Sequence, residues 1–285
     1  MSADQQSDGG SSGGRRSWSD LGPRLLSAVV LVPVVIIAVF LGSYLLALAA
    51  GAAFAGAYRE WDRMVTLKPL DGWGVAFTAS VLIGAALFPL GGAPATLGVA
   101  VLAAIAALIR NGEGGAWRAG GLVYLGIVIV AVLSIRGASQ DGIWAAVILG
   151  VTVWLTDTGA FFTGRRLGGH KLAPDISPAK TWSGALGGLV VGTACGTLVW
   201  YFHGGAPLWV QILLCALTSI VGQVGDLAES ALKRRFRVKD SGDIIPGHGG
   251  LMDRLDSVTF GALFLYAVGA LHMGQGAVAS GFLNW

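Results

Sequence analysis

Nine apolar runs separated by short polar connections decide most of what this chain can fold into. Their approximate bounds are 25–41, 43–58, 75–90, 95–110, 120–135, 142–161, 184–201, 208–225 and 256–274. Continuous runs without polar–apolar alternation predict membrane-spanning helices rather than barrel strands. Several runs are shorter than the roughly 20 residues that cross a hydrocarbon core undistorted. Their ends are therefore loose, and the turn at Gly42 is the weakest divide. Composition argues the same way: 12% of residues are charged, against roughly 25% in soluble domains. The 45 glycines follow no three-residue period, which excludes collagen and suits close helix packing in a membrane. Cys195 and Cys215 both lie inside apolar runs, so they supply neither a disulfide framework nor a metal motif.

The placement of charge predicts an orientation. With nine crossings and a cytoplasmic N-terminus, 18 of the 19 Lys and Arg residues fall on the inner side, and only Arg136 falls outside. That asymmetry is what basic residues impose on topology, and it puts Trp285 on the external side. The net charge of +3 is spread over short loops, so an anionic leaflet or substrate is the expected partner rather than nucleic acid. The fold expected is an all-α polytopic membrane protein of about nine transmembrane helices with cytoplasmic catalytic loops. Residues 1–22 are expected to form a disordered cytoplasmic tail, 23–119 the N-terminal transmembrane helices, and 120–285 a C-terminal transmembrane catalytic region.

Two inner segments concentrate chemistry. In 154–184, Asp157 lies near the end of an apolar run, where an ionisable group is costly unless paired, hydrated or metal-bound. Gly164, Gly168 and Gly169 beside Arg165, Arg166, His170 and Lys171 offer exposed backbone N–H groups with cations alongside, a pattern that suits phosphate. Ser177 and Thr181 add hydroxyls, and Lys180 either reaches a phosphate or anchors the loop to lipid headgroups. In 225–257, Asp226 and Glu229 share a helical face by their spacing, as do Asp253 and Asp256. Carboxylates converging at an interface repel each other unless a cation sits among them, and Mg²⁺ with its preference for carboxylate oxygens is the expected ion. Helix-start capping is the plainer account of one of the Asp253/Asp256 pair. Lys233, Arg234, Arg235, Arg237 and Lys239 could bind phosphates or simply fix topology. Gly247, Gly249 and Gly250 around His248 allow close backbone approach to a ligand.

Residues 225–257 resemble the long signature of phosphatidate cytidylyltransferases (CDP-diacylglycerol synthases). The resemblance rests on Ser230, Lys233-Arg234, Lys239 through Gly242, Pro246 through Gly250, and Asp253-Arg254 with Asp256-Ser257. The run from Asp157 through Gly164 to Ser177-Pro178 and Lys180-Thr181 is also similar, while Ser183 departs from the Glu or Gln common there. The resemblance implies a multi-pass enzyme of the cytoplasmic (inner) membrane that joins CTP to phosphatidate and releases pyrophosphate. It implies Asp226 and Asp253 as a Mg²⁺ centre supported by Asp256. Lys180, Lys233, Lys239 and Arg254 would neutralise phosphates; Ser177, Arg234, His248 and Gly249 are further binding candidates from the residues themselves, for the phosphates of a nucleotide or of a lipid headgroup. A second, monovalent cation such as K⁺ and a homodimer are also implied. The alternative reading is a CTP-dependent polyprenol or lipid-alcohol kinase, which would release CDP instead. A transporter fits less well, because the polar residues cluster at span ends and in loops rather than at mid-membrane.

Overall fold

A computed structural model describes residues 33–110, 114–238, 240–242 and 250–285. Helix α1 covers 33–41, and α2 Ser43–Thr66 follows after Gly42 at φ 64°. Then come α3 Gly72–Ile109, α4 Gly115–Arg136 and α5 Gln140–Leu167. A β-hairpin of β1 Lys171–Ala173 and β2 Ser177–Thr181 leads into α6 Trp182–His203. Helices α7 Leu208–Arg235, α8 Met252–Met273 and the short α9 Val278–Leu283 complete the chain. Among the described residues, six of these helices (α3 to α8) are long and apolar enough to cross a membrane. Large apolar side chains such as Leu271, Phe202 and Val190 point outward with 67–88% of their surface exposed. Water would not tolerate so many, whereas lipid does.

Helix α3 bends sharply. Gly92 sits at φ 59°, ψ −154°, between Pro89 and Pro94. Thr96 Oγ1 nevertheless donates to the Gly84 carbonyl at 2.8 Å, whereas in a straight helix twelve residues span roughly 18 Å. The Arg110 guanidinium also lies 4.6 Å over the Trp73 ring. The chain therefore doubles back at Gly92, and its two arms correspond to the apolar runs 75–90 and 95–110.

The contacts sort the helix ends into two sets. At one end Arg118 near the start of α4 binds Asp62 and Asp71 near the end of α2 and the start of α3. The Gly74 amide donating to Asp71, with Arg118 beside it, holds that carboxyl below the usual carboxylate range. At the opposite end Arg136 donates to the carbonyls of Val39 and Phe40 at the end of α1. Asp141 there accepts from Ser280 and Asn284, and the Trp285 amide donates to Gly205.

Two apolar cores result. One joins α2, α3 and α4 around Phe54, Tyr58, Phe77 and Leu122. The other joins α4 to α9 around Ile148, Trp200, Leu265 and Phe282. Helices α5 and α6 meet along a stripe of small residues, Gly184, Gly188, Gly192 and Gly196, each four apart. A Cβ at Gly192 would lie 2.0 Å from Thr156 Oγ1, and one at Gly196 would lie 2.1 Å from Thr152 Oγ1. Only glycine lets the two backbones approach this closely.

Several elements differ from the sequence-based expectation. Helices α2 and α7 run eight and ten residues past their apolar runs, so the polar stretches 59–66 and 226–235 are helical. Hydropathy marks where lipid ends, whereas Arg, Glu and Lys continue a helix readily. The hairpin, with Lys171 opposite Thr181 and Ala173 opposite Ser177, adds a small sheet to the expected all-α fold. It lies outside the apolar runs, where ladder bonds and water can both satisfy the backbone.

Candidate active site

The charged cluster at the Arg118 end is built from four directions. Helix α7 carries Asp226, Glu229 and Lys233 at i, i+3 and i+7, one face of one helix. Helix α8 starts beside it with Asp253 and Asp256 in its first two turns. Helix α5 supplies Asp157, in the electrostatic range of Asp226, Asp256 and Lys180. The hairpin supplies Lys180, whose Nζ lies 2.6 Å from Asp226 Oδ2. Thr181 anchors that hairpin by accepting the Gly184 amide as the cap of α6.

Lys233 is the hub. Its ammonium touches Glu229 Oε1 at 3.2 Å and Asp253 Oδ1 at still closer range. All three side chains are at least four-fifths buried. Asp256 Oδ1 accepts the Ser257 amide at 2.7 Å, and Tyr124 hydrogen-bonds Thr259 one turn below. Both carboxylate oxygens of Glu229 are buried, with the Lys233 ammonium beside Oε1. Five carboxylates (Asp157, Asp226, Glu229, Asp253 and Asp256) thus face two ammonium groups.

The other residues expected from sequence distribute as follows. Arg234 donates from Nε to the Ile176 carbonyl at 3.2 Å and so ties the hairpin to α7. Ser177 opens β2, and Arg254 is exposed in the first turn of α8. Lys239, His248 and Gly249 lie outside the described residues. Asp226, Asp253 and Asp256 share the cluster, but no three carboxylate, His or Cys side chains form a ready metal-holding group among the described residues. Asp226 and Asp253 are each taken by a lysine instead.

Sequence reasoning missed Glu60. It is 1% exposed near the end of α2, and its carboxylate accepts from Ser241 Oγ at 3.0 Å and from the Leu251 and Met252 amides at 2.9 Å each. One available signal was an acidic pair, Glu60 and Asp62, in a segment whose position calls for positive charge. Two spaces border the cluster. A cavity of about 220 Å³ between α2, α4, α7 and α8 is lined by Phe54, Ala57, Trp61, Tyr124 and Phe260, with Glu229 and Asp256 on its wall. An open groove of about 850 Å³ is bordered by Arg59, Arg63, Lys68, Ser241 and Gly242.

Apolar helices with lipid-compatible surfaces define a multi-pass membrane protein, and the charged cluster at one end of its bundle is the candidate site. The chain belongs to the cytidylyltransferase family, whose pattern matches residues 22–272. It is 38% identical over 259 residues to the phosphatidate cytidylyltransferase of Brucella suis, covering 89% of this chain and 94% of that one. It is 44% identical over 151 residues to the phosphatidate cytidylyltransferase of Bacillus subtilis, covering 52% of this chain and 56% of that one.

Proposed function

We propose that the chain transfers a cytidylyl group from CTP to phosphatidate, giving CDP-diacylglycerol and pyrophosphate. The observation that carries this reading is the 38% identity over nearly the full length of a phosphatidate cytidylyltransferase, a stretch long enough to include every element of the charged cluster. A phosphate oxygen of the lipid forms a new bond to the α-phosphorus of CTP while the bond to the pyrophosphate oxygen breaks. The attacking oxygen is already anionic near neutral pH, so positioning and charge balance do the work rather than a strong base.

The cluster supports that role. Lys180 and Lys233 hold carboxylates and can turn to phosphates, and Arg234 fixes the hairpin that carries Lys180. The groove edged by Arg59, Arg63 and Lys68 suits the approach of a polyanionic nucleotide. The apolar cavity beside Glu229 and Asp256 suits the hydrocarbon part of the lipid nearest its headgroup. The donor set fits Mg²⁺: only hard oxygens, and five carboxylates against two ammonium groups, so that negative charge is left for a cation to balance. Asp226, Asp253 and Asp256 would hold the ion, which supplies Lewis-acid stabilisation of phosphate charge when bound. The family resemblance supports a second, monovalent cation such as K⁺ and a homodimer.

For topology we propose nine crossings, counting α1, α2 and both arms of α3. The basic segments and the charged cluster then face the cytoplasm, with Trp285 outside. The asymmetry of Lys and Arg supports this.

Purified protein supplied with CTP labelled at the α-phosphate and with phosphatidate should give a labelled lipid and unlabelled pyrophosphate. In a parallel reaction with a polyprenol or another lipid alcohol as acceptor, release of labelled CDP with an unlabelled lipid phosphate would instead identify a lipid-alcohol kinase, and no product from either lipid would defeat both readings.

A further inference from the structure

Helix α8 begins without a cap of its own. Its N-cap position is Leu251, which has no side chain to accept the orphan amides of the first turn. Glu60 supplies the missing acceptor from α2, 191 residues earlier in the chain. One carboxylate oxygen takes the Leu251 amide, and the other takes both the Met252 amide and the Ser241 hydroxyl. An anion at a helix N-terminus gains from the aligned peptide dipoles as well. The surrounding sequence makes room for it. A Cβ on Gly242 would lie 2.8 Å from Glu60 Cγ, and one on Gly250 would lie 2.9 Å from Glu60 Oε2. Ser241 also presents its own amide to Asp253 Oδ2 in a long contact of 3.4 Å. The carboxylate is therefore two residues from the hub: Glu60 to Ser241 to Asp253, and Asp253 to Lys233.

We propose that Glu60 is a positioning residue for the transfer reaction, fixing the first turn of α8 and with it the placement of Asp253 and Asp256. It need not touch substrate. The inference rests on the reading of the charged cluster as the reaction site. Its geometric part, that Glu60 holds the α8 start, stands apart from that reading and can be tested apart from it.

The test uses the full chain in nanodiscs and four variants. Glu60→Gln keeps the volume but turns one acceptor into a donor facing the amides. The expected result is a KM for CTP raised at least about fivefold and a kcat lowered about tenfold, the scale of a lost charge-assisted hydrogen bond. Loss of folded protein would lower only the maximal rate, in proportion to the folded fraction, and would leave KM unchanged. Hydrogen–deuterium exchange gives an activity-independent readout: peptides covering 250–258 should exchange faster in Glu60→Gln, and peptides of α5 and α6 should not. Gly242→Ala, which pushes a methyl group into the carboxylate, should reproduce both effects. On a Glu60→Ala background Gly242→Ala should add nothing. Unchanged exchange at 250–258 together with an unchanged KM in Glu60→Gln would overturn the proposal. So would additive effects of Gly242→Ala and Glu60→Ala. If the wild-type protein makes no CDP-diacylglycerol, the functional reading fails, and the exchange data still decide whether Glu60 holds the helix.

Discussion

Replacing Lys233 by Met removes one charge while keeping most of the stem's volume, and the structure sets the size of the effect. The ammonium lies 3.2 Å from Glu229 Oε1, a gross attraction of about 5 kcal/mol at an effective dielectric of 20. The closer contact with Asp253 adds a second attraction of similar kind. Against this stands the hydration that the buried ammonium gave up, several kcal/mol for a buried ion. The side chains are only 7–19% exposed, so solvent screens little. Truncation leaves Glu229 and Asp253 uncompensated, and breaking a buried pair in this way costs about 3–5 kcal/mol. At about 2 °C per kcal/mol for a chain of this size, the unfolding midpoint should fall by roughly 6–10 °C. Turnover should fall by at least about 10²-fold, as for a lost electrostatic interaction with the transition state. Tryptophan fluorescence on heating in detergent reads the first quantity and pyrophosphate release the second. Adding Glu229→Gln to Lys233→Met removes one of the two stranded carboxylates, so the double variant should regain part of the lost midpoint. A midpoint and turnover both within error of wild type would refute the hub role. So would a double variant less stable than Lys233→Met alone.

Arg118→Ala breaks the two-pronged pair with Asp62, which is fully buried. It should cost about 3 kcal/mol or more in thermal unfolding while leaving the KM for CTP unchanged. Ala57→Phe, filling the cavity of about 220 Å³, should raise the KM for phosphatidate roughly tenfold while leaving that for CTP unchanged, since each buried methylene is worth about 0.8 kcal/mol. An unchanged KM for phosphatidate would remove the cavity from lipid binding. Single cysteines at Asp175 and at Ser139, placed in a chain lacking Cys195 and Cys215, should be labelled from opposite faces of intact cells. Labelling from one face would overturn the nine-crossing arrangement.

The sequence made some parts of this site legible and hid others, for physical reasons. Asp226, Glu229, Lys233, Asp253 and Asp256 stood out because charge beside long apolar runs is costly and their spacing repeats that of a helical face. Lys180 was legible as a cation but not as the partner of Asp226, because that pairing depends on a hairpin folding back over α7. The reversal at Gly92 could be read from a glycine pair flanked by Pro89 and Pro94, although the helical geometry resumes within a residue or two. Glu60 was hidden by its setting. In the run Arg59-Glu60-Trp61-Asp62-Arg63 alternating charges look like an ordinary solvated helix end, and both acids are fully buried only because partners arrive from 56 to 192 residues away. No local pattern encodes such pairings. The helix ends were misjudged for a different reason: hydropathy reports the lipid boundary, and α2 and α7 continue beyond it.

That mismatch between helix length and lipid thickness also explains where the cluster sits. Helices α4, α6 and α8 have 22 residues each, and α5 and α7 have 28. At 1.5 Å per residue the longer pair spans about 42 Å, roughly 12 Å more than the hydrocarbon core. Both start at the Arg136 end, so the surplus of each emerges at the other. Asp157 is the eighteenth residue of α5 and Asp226 the nineteenth of α7. Both therefore lie about 26–27 Å along their helices, at nearly one level near the far edge of a core of roughly 30 Å. Helix α8 enters from that side, bringing Asp253 and Asp256 down to meet them. Charges held at this depth avoid most of the cost of mid-membrane burial, yet they are within reach of groups at the headgroup level. A lipid phosphate sits at that level because its acyl chains hold it there, and a nucleotide reaches it from water. On the proposed function, the surplus turns of α5 and α7 allow one cluster to face both substrates without drawing either across the boundary.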